Sequence, residues 1–543
     1  MRFADPVTGH EFIGREKVLQ HLKKRASSLH HGYRHNVAML GPPLIGKSSL
    51  ILQFLENFHE SKTLSLYIEI RSGESFDTFL QRFLNSFLYQ FLKQVQGAAP
   101  KEVPLLTERA RALIPKTVQE IEFLRQAKGL TPTERFKRLL ELSLVFNREF
   151  KSYLVWALDE FDKLLEFDLS EPFVHLGKQI MVQRQTMYLV ASSQVSLAEK
   201  ILKQKLALLF GQFETIFLEP FDTESSRKLL ESRWGLKDLP SEFTEYLLLL
   251  TGNRPFYLNV LGEELRKAHY LLSEEDFFCC LERQLLNAQG ILAQYFGSLT
   301  EQLSRQDRSG ALLTLLKTIA EGRYTASALR CVLRDQGQRR GLKQRLERLG
   351  ASEVLAENGS FYFLKDPLFA FWLATCSQRK SDSFSRTPAD LSRSFQQEMR
   401  GRFQRFLASR KQEPFEKIQR LFEAFQGEVV EVDHKKQRIP PFEEIQRMSW
   451  EGKGMYLRAH SKGGLWISAI YDQLLGEEEI LTLLGRCKRH PEKIHRKILI
   501  PLRGMDDTAR LLAKEARLWT WELPQLNLLF RVHGQDAILE RNL

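Results

Sequence analysis

Between residues 10 and 220, short β-rich apolar runs alternate with longer stretches whose apolar positions recur every three to four residues. A parallel sheet flanked by helices requires that alternation. The predicted strands are 36–40, 64–70, 153–158, 187–192 and 215–218. Between the second and third, residues 76–150 are rich in Leu, Phe and charge at helical spacing. They predict crossover helices plus a helical insertion around 98–132, whose role the pattern does not disclose.

Residues 222–290 read as helical throughout, with periodic segments 225–234, 242–250 and 255–269 and a break at Thr251-Gly252-Asn253, which predicts a helical lid beside the sheet. Helical patterns at 310–321, 326–334 and 338–349 then precede alternating residues 354–363 with Asn358-Gly359 at their middle. Asn-Gly favours a type I′ hairpin turn, which needs positive φ at both central positions. Three helices followed by a hairpin predict a winged helix. Residues 378–394, rich in Ser, Arg and Asp with one Pro, read as a linker. The last segment opens with helices and continues with strand-like runs at 427–432, 455–460, 465–470, 497–502, 518–523 and 526–532, with a helical 474–487 among them. The expected division is a core at 1–221, a lid at 222–300, a winged helix at 301–377, the linker, and an α/β module at 395–543.

A chain of 543 residues suits several domains, and 43% hydrophobic with 27% charged residues is the balance of folded, globular protein. Seventy-nine Lys and Arg against 67 Asp and Glu leave a formal charge of +12. That excess favours polyanionic partners, nucleic acid or an acidic surface, although a solvated basic exterior explains it equally. The five cysteines show no metal-ligand spacing and imply a reducing cytoplasm. The opening residues lack an export signal, and no window approaches the length of a membrane span.

Residues Gly41, Pro42, Pro43, Leu44, Ile45, Gly46, Lys47 and Ser48 match GxxxxGK[ST] between a predicted strand and a helical run starting at Ser49. In that context the glycines let backbone N–H groups turn onto phosphates, Lys47 reaches the β and γ phosphates, and Ser48 ligates magnesium. The predicted ligand is ATP with Mg²⁺. The strand 153–158 runs into Asp159-Glu160, where Asp159 would hold the metal and Glu160 would polarise the attacking water.

With Phe12-Ile13-Gly14-Arg15-Glu16 ahead of the loop, Ser192-Ser193 at a strand end and Gly252-Asn253-Arg254-Pro255 in the lid, residues 10–375 resemble the archaeal-type AAA+/STAND ATPases of the ORC-like kind. Their winged helices end much as Asp366-Pro367-Leu368-Phe369 does here. The resemblance implies an α/β P-loop NTPase fold of AAA+ type with a helical lid. It also implies that Phe12, Ile13 and Gly14 border the adenine, that Ser192 or Ser193 senses the γ phosphate, and that Pro255 makes a lid contact. Phe12 and Ile13 suit a core role as well. Relatives carry an arginine near Gly211, where this chain has Gln212. An arginine finger contributes on the order of 10³ to 10⁵ in rate. Turnover should therefore be slow unless Arg184, Arg227 or Arg254 substitutes.

The third helix of the expected winged helix is basic, with Arg339, Arg340, Lys343 and Arg345 as candidate contacts to double-stranded DNA. The C-terminal segment resembles the restriction-endonuclease-like fold, but its third expected strand carries no E-x-K pair, so the resemblance implies a catalytically inactive module. Two functions fit these readings: a slowly hydrolysing switch acting on DNA or a DNA-associated partner, or an ATP-controlled homo-oligomer that recruits a protein.

Overall fold

The computed structural model describes residues 5–60, 62–127, 129–206, 213–268, 273–307, 309–335, 341–375, 387–432, 435–448 and 454–535. The chain divides into two compact units, one of residues 1–233 with 254–256, the other of 234–253 with 257–543.

The first unit is an α/β layer structure. Strands β1 (Asn36–Leu40), β2 (Thr63–Glu69), β3 (Tyr153–Asp159), β4 (Thr186–Ser192) and β5 (Phe213–Phe217) form one sheet in the order β2-β3-β4-β1-β5. Every pairing is parallel. The expected five strands are thus present, each shifted by no more than two residues. Central strands of such a sheet are covered on both faces, so β1 is buried end to end: Val37 and Met39 enter one core, Ala38 and Leu40 the other.

The helices of this unit are α1 (Glu16–Ser28), α2 (Lys47–Asn57), α3 (Phe76–Gln96), α4 (Val103–Arg111), α5 (Pro115–Gln126), α6 (Pro132–Phe150), α7 (Pro172–Val182), α8 (Val195–Lys200) and α9 (Thr223–Trp234). Along α3, Phe76, Phe79, Phe83, Phe87 and Phe91 recur at helical spacing and are all buried in the larger core. The insertion between β2 and β3 is α4 and α5, whose Leu106, Ala110, Val118, Ile121 and Leu124 enlarge that core. All of helix α9 but its last residue, Trp234, belongs to this compact unit.

The second unit begins with α10 (Ser241–Thr251), α11 (Pro255–Lys267, its first two residues in the first unit), α12 (Glu274–Leu285) and α13 (Ile291–Gln306). Then come α14 (Ala311–Ala320), α15 (Ala326–Asp335) and α16 (Leu342–Ala351), the hairpin β6 (Leu355–Asn358) with β7 (Phe361–Leu364), and α17 (Pro367–Thr375). Asn358 pairs with Phe361, so the turn residues are Gly359 and Ser360, and only Gly359 has positive φ, at 62°. The turn has the type II′ pattern, glycine first, rather than the type I′ turn that Asn-Gly suggested.

Helix α18 (Pro388–Arg410) overturns the end of the expected linker. Thr387 and Asp390 form a reciprocal capping box with Pro388 in the first turn, and 388–394 are therefore the start of a 23-residue helix. The rest of the linker lies outside the described residues. After α19 (Pro414–Ala424) and the hairpin β8 (Val429–Val432) with β9 (Lys435–Arg438), a sheet of β10 (Glu444–Met448), β11 (Met455–Ser461), β12 (Gly464–Tyr471), β13 (Ile494–Pro501) and β14 (Trp519–Thr520) runs in sequence order. Its first three strands are antiparallel, its last three parallel. One face packs on α19 and α22 (Leu523–Val532), the other on α20 (Glu477–Arg489) and α21 (Asp507–Glu515). The run 526–532, expected as a strand, is part of α22: Leu523, Leu526, Leu529 and Phe530 fall on one buried face.

Candidate nucleotide site

Three turns at the carboxyl ends of β1, β3 and β4 converge to make the site. The loop after β1 is tightly wound. Gly41 donates its N–H to Ser192 O (3.3 Å), and a Cβ there would sit 2.7 Å from the backbone oxygen of Leu218. Only glycine fits that approach. Leu44 and Gly46 take positive φ, 61° and 99°, turning the loop before α2 begins at Lys47. Ile45 is fully buried in the core, which anchors the loop from below, while Pro43 is exposed and Pro42 half-buried.

The side chains then interlock. Lys47 is buried, and its Nζ donates to Gly41 O (2.7 Å) and Pro42 O (3.0 Å). Burial lowers its pKa, while the carboxylates of Glu160, Asp159 and Asp162 oppose that fall. Ser48 Oγ donates to Asp159 Oδ2 (2.6 Å), which also accepts the Tyr67 hydroxyl (2.8 Å), while Asp159 Oδ1 accepts the Glu160 N–H (3.0 Å). Glu160 sits in the left-handed region at φ 53°, an uncommon conformation for a side chain of this kind, and its Oε2 accepts both Ser193 Oγ (2.6 Å) and Ser193 N–H (3.2 Å).

A hydroxyl and a carboxylate side by side are hard oxygen donors of the kind that suits magnesium. A second carboxylate, held by Ser193 one strand away, is able to face water. Ser192 and Ser193 divide the strand end between them: Ser192 is buried and bonds Asp162 and the Gln194 N–H (3.0 Å), so Ser193 is the one that meets Glu160.

Two residues here were not singled out from the sequence. Tyr67 reaches Asp159 because β2 and β3 are neighbours, with Tyr67 opposite Ala157, a pairing that no local pattern discloses. Asp162 is 2% exposed, and burial pushes its carboxyl up to about 6. The acid at 162, after acids at 159 and 160, was the visible signal for it.

Phe12 packs against the core that holds Ile45 and Leu50, and Ile13 is half-buried. Gly14, at φ 73°, lies where a Cβ would meet Ser225 Oγ at 3.2 Å and the Phe221 ring at 3.6 Å. The segment therefore joins the sheet to the start of α9. Arg15 bonds the Glu219 carbonyl and lies over the Phe221 ring (4.8 Å); burial lowers its pKa to about 10. The Ser49 hydroxyl accepts from the Val7 N–H (3.0 Å), so its side chain ties down the N-terminal segment. Pro255 is buried. Arg184 precedes β4 and so lies at the amino end of the sheet. A seven-residue strand spans about 23 Å, and Arg184 therefore does not reach its own chain's site. Leu209, Phe210, Gly211 and Gln212 lie outside the described residues.

Residues 11–180 match a family model described as AAA ATPase domain. The chain is an ATP-hydrolysing enzyme. No curated protein matches it. Among solved structures, it is similar to the Walker-type ATPase of Pyrococcus abyssi at 21% identity and TM-score 0.50, over 68% of this chain and 99% of that one. It also aligns with the Aeropyrum pernix ORC2 protein in its ADPNP-ADP complexes at 15% identity and TM-score 0.46, over 74% and 98%. At such identities the first likeness speaks to the fold.

The candidate DNA contacts fare unevenly. Arg339 and Arg340 lie outside the described residues. Lys343 is 91% exposed on α16 and 3.9 Å from Glu347. Arg345 is turned inward to Asp307 (3.9 Å), the residue that also accepts the Leu312 N–H at the start of α14. It braces the helices instead of presenting charge. The β6–β7 turn is itself covered. Asn358 exchanges side-chain bonds with the backbone of Glu431 (2.8 and 3.4 Å), Ser360 N–H donates to Val429 O (2.8 Å), and Lys436 pairs with Glu357 (2.9 Å). Glu431 and Lys436 thus serve this junction. Strand β12 is buried along nearly its whole length and carries no carboxylate. Among the described residues no helix is long and apolar enough to cross a membrane.

Proposed function

We propose that this ATPase is a nucleotide-controlled switch that turns over slowly and acts on DNA or a DNA-associated partner. The observation that carries the reading is the paired arrangement Ser48–Asp159 and Ser193–Glu160 around a buried Lys47. In this reading the loop 41–48 cradles the phosphates of ATP and Lys47 leaves its loop carbonyls for the β and γ oxygens. Ser48 and Asp159 hold Mg²⁺, which when bound neutralises phosphate charge. Glu160, positioned by Ser193, orients and polarises the attacking water. Phe12, Ile13 and Gly14 border the base, and Pro255 makes the lid contact. Slow turnover follows from Gln212 standing where relatives carry an arginine, unless Arg227 or Arg254 substitutes.

We read α14–α16 with the β6–β7 hairpin as a winged helix, and α19 with β10–β14 as a degenerate restriction-endonuclease-like module. The covered turn and the inward Arg345 favour, as a second reading, an ATP-controlled oligomer that recruits a protein. Steady-state ATP turnover with and without double-stranded DNA, at low and moderate salt, separates them, with Lys47→Ala and Glu160→Gln as controls. Stimulation by DNA that salt and both substitutions abolish supports the DNA switch. Turnover indifferent to DNA refutes it in favour of the recruiter.

A further inference from the structure

Residues 486–497 hold six Lys and Arg against a single acid, Glu492. A basic last turn of α20 would by itself be unremarkable, because cations suit the negative end of the helix dipole. The excess, however, comes from three elements meeting at one end of the C-terminal sheet. Lys488 and Arg489 end α20, Lys493 lies in the loop to β13, and Arg496 lies on β13 itself. Lys462 is in the β11–β12 turn, and the parallel pairing of β12 with β13 sets Leu465 opposite Ile494 at that same end. The turn is pressed onto β13: a Cβ on Gly464, which has φ 119°, would lie 3.3 Å from His495 Cβ.

Glu492 does not offset this charge. Its carboxylate is taken by Arg458 (2.5 Å) and His460 (3.4 Å) on β11, so it pairs with groups outside the basic cluster. Among the described residues, none of Lys462, Lys488, Arg489, Lys493 and Arg496 has an acidic partner within 4.0 Å, and all five are exposed. Arg496 lies 5.3 Å over the Trp519 ring, so its guanidinium is held in place without being neutralised. Five cations without an acidic partner at one end of the sheet repel one another, and a polyanion lying across them relieves that repulsion.

We propose that this end of the C-terminal module is a nucleic-acid contact, binding the phosphodiester backbone through Lys462, Lys488, Arg489, Lys493 and Arg496. It takes the place of α16 as the principal basic surface, where Arg345 is spent on Asp307 and the hairpin turn is occupied by β8. The inference rests on the DNA reading of the proposed function and names the surface that performs it. A backbone contact reads charge spacing and not base sequence, so binding is salt-dependent and weakly sequence-specific.

The test is binding of the full chain to a labelled random-sequence duplex and to the matching single strand between 50 and 200 mM salt. Wild type is compared with Lys488→Ala/Arg489→Ala/Lys493→Ala and with Lys343→Ala/Arg348→Ala on α16. ATP binding and thermal unfolding confirm that each variant is folded. Loss of three phosphate contacts should lower the slope of log K against log salt by about 3, so the same fourfold salt rise costs the triple variant about 40-fold less affinity than it costs wild type. The α16 variant should keep the wild-type slope to within less than about one contact. The reverse pattern, with the α16 variant losing its binding and the triple variant unchanged, overturns this surface while leaving the DNA reading intact. Absence of any nucleic-acid binding by wild type overturns both. Binding confined to vesicles containing phosphatidylserine also overturns the inference and assigns the surface to a membrane.

Discussion

Replacing Ser193 by alanine tests the role assigned to Glu160 more sharply than replacing Glu160 itself. The Ser193 hydroxyl lies 2.6 Å from Glu160 Oε2, with the backbone N–H of the same residue at 3.2 Å. Removing the hydroxyl deletes one charge-assisted bond, worth about 1.5 to 3 kcal/mol, and leaves the N–H in place. If that bond holds the carboxylate toward the attacking water, the chemical step should slow by about 10- to 150-fold at saturating Mg-ATP. Glu160→Gln alone should cost on the order of 10²- to 10⁴-fold by loss of the general base. The decisive quantity is the coupling, because Ser193 acts only through Glu160. Adding Ser193→Ala to Glu160→Gln should then cost less than about 3-fold, a coupling of at least about 1 kcal/mol. Single-turnover hydrolysis, with nucleotide affinity measured separately, reads the cycle. Equal losses in both backgrounds refute the reasoning, as does faster hydrolysis by Ser193→Ala, which would make the serine a restraint.

Lys47→Ala removes the buried ammonium among three carboxylates and the donor to the phosphates, and should weaken ATP binding by at least about 100-fold in a fluorescent-nucleotide titration. An affinity within threefold of wild type would refute it. Asp162 carries a raised carboxyl pKa, from 3.8 to about 6, because burial penalises its charged form. Between those values the folded state binds more protons than the unfolded chain, so this group's contribution falls as pH rises from 4 to 6, by on the order of 2 to 3 kcal/mol. Urea unfolding of the nucleotide-free protein at pH 4.5 and 6.5 should show that Asp162→Asn is flatter across this window than wild type; parallel profiles would contradict it. Gly359→Ala would place a Cβ 1.9 Å from Val429 O at φ 62°. It should destabilise the second unit by about 2 kcal/mol or more and increase proteolysis around residues 429–438, whereas an unchanged melting profile would show that the junction is loose.

The nucleotide site was legible because its chemistry is local. Eight consecutive residues from Gly41 to Ser48 encode a turn, a helix start and the two side chains that follow, and Asp159-Glu160 close a run of apolar residues. Strand burial on both faces forces such runs in a parallel sheet, so β1 to β5 could be read to within two residues. Local chemistry was also misread. The Thr387–Asp390 capping box lay inside a stretch whose Ser and Arg content suggested a linker, and 526–532 has helical spacing that its dense apolar residues obscured.

Other features depended on elements distant in sequence. Tyr67 meets Asp159 across 92 positions because β2 lies beside β3, and sheet order is set by packing of whole layers, not by either strand's residues. Arg345 reads as a DNA contact in the sequence and becomes a brace once Asp307 arrives beside it. Composition declared the net charge of +12. The gathering of a basic cluster at one end of the C-terminal sheet required the parallel register of β12 and β13, which sets Leu465 opposite Ile494 and so puts Lys462 and Lys493, 31 positions apart, at the same end. Motifs whose parts are neighbours in the chain are therefore determined by the sequence alone. A surface's charge, and the partner of a lone side chain, were decided only by the tertiary structure, because both depend on which distant residues packing brings within a few ångströms.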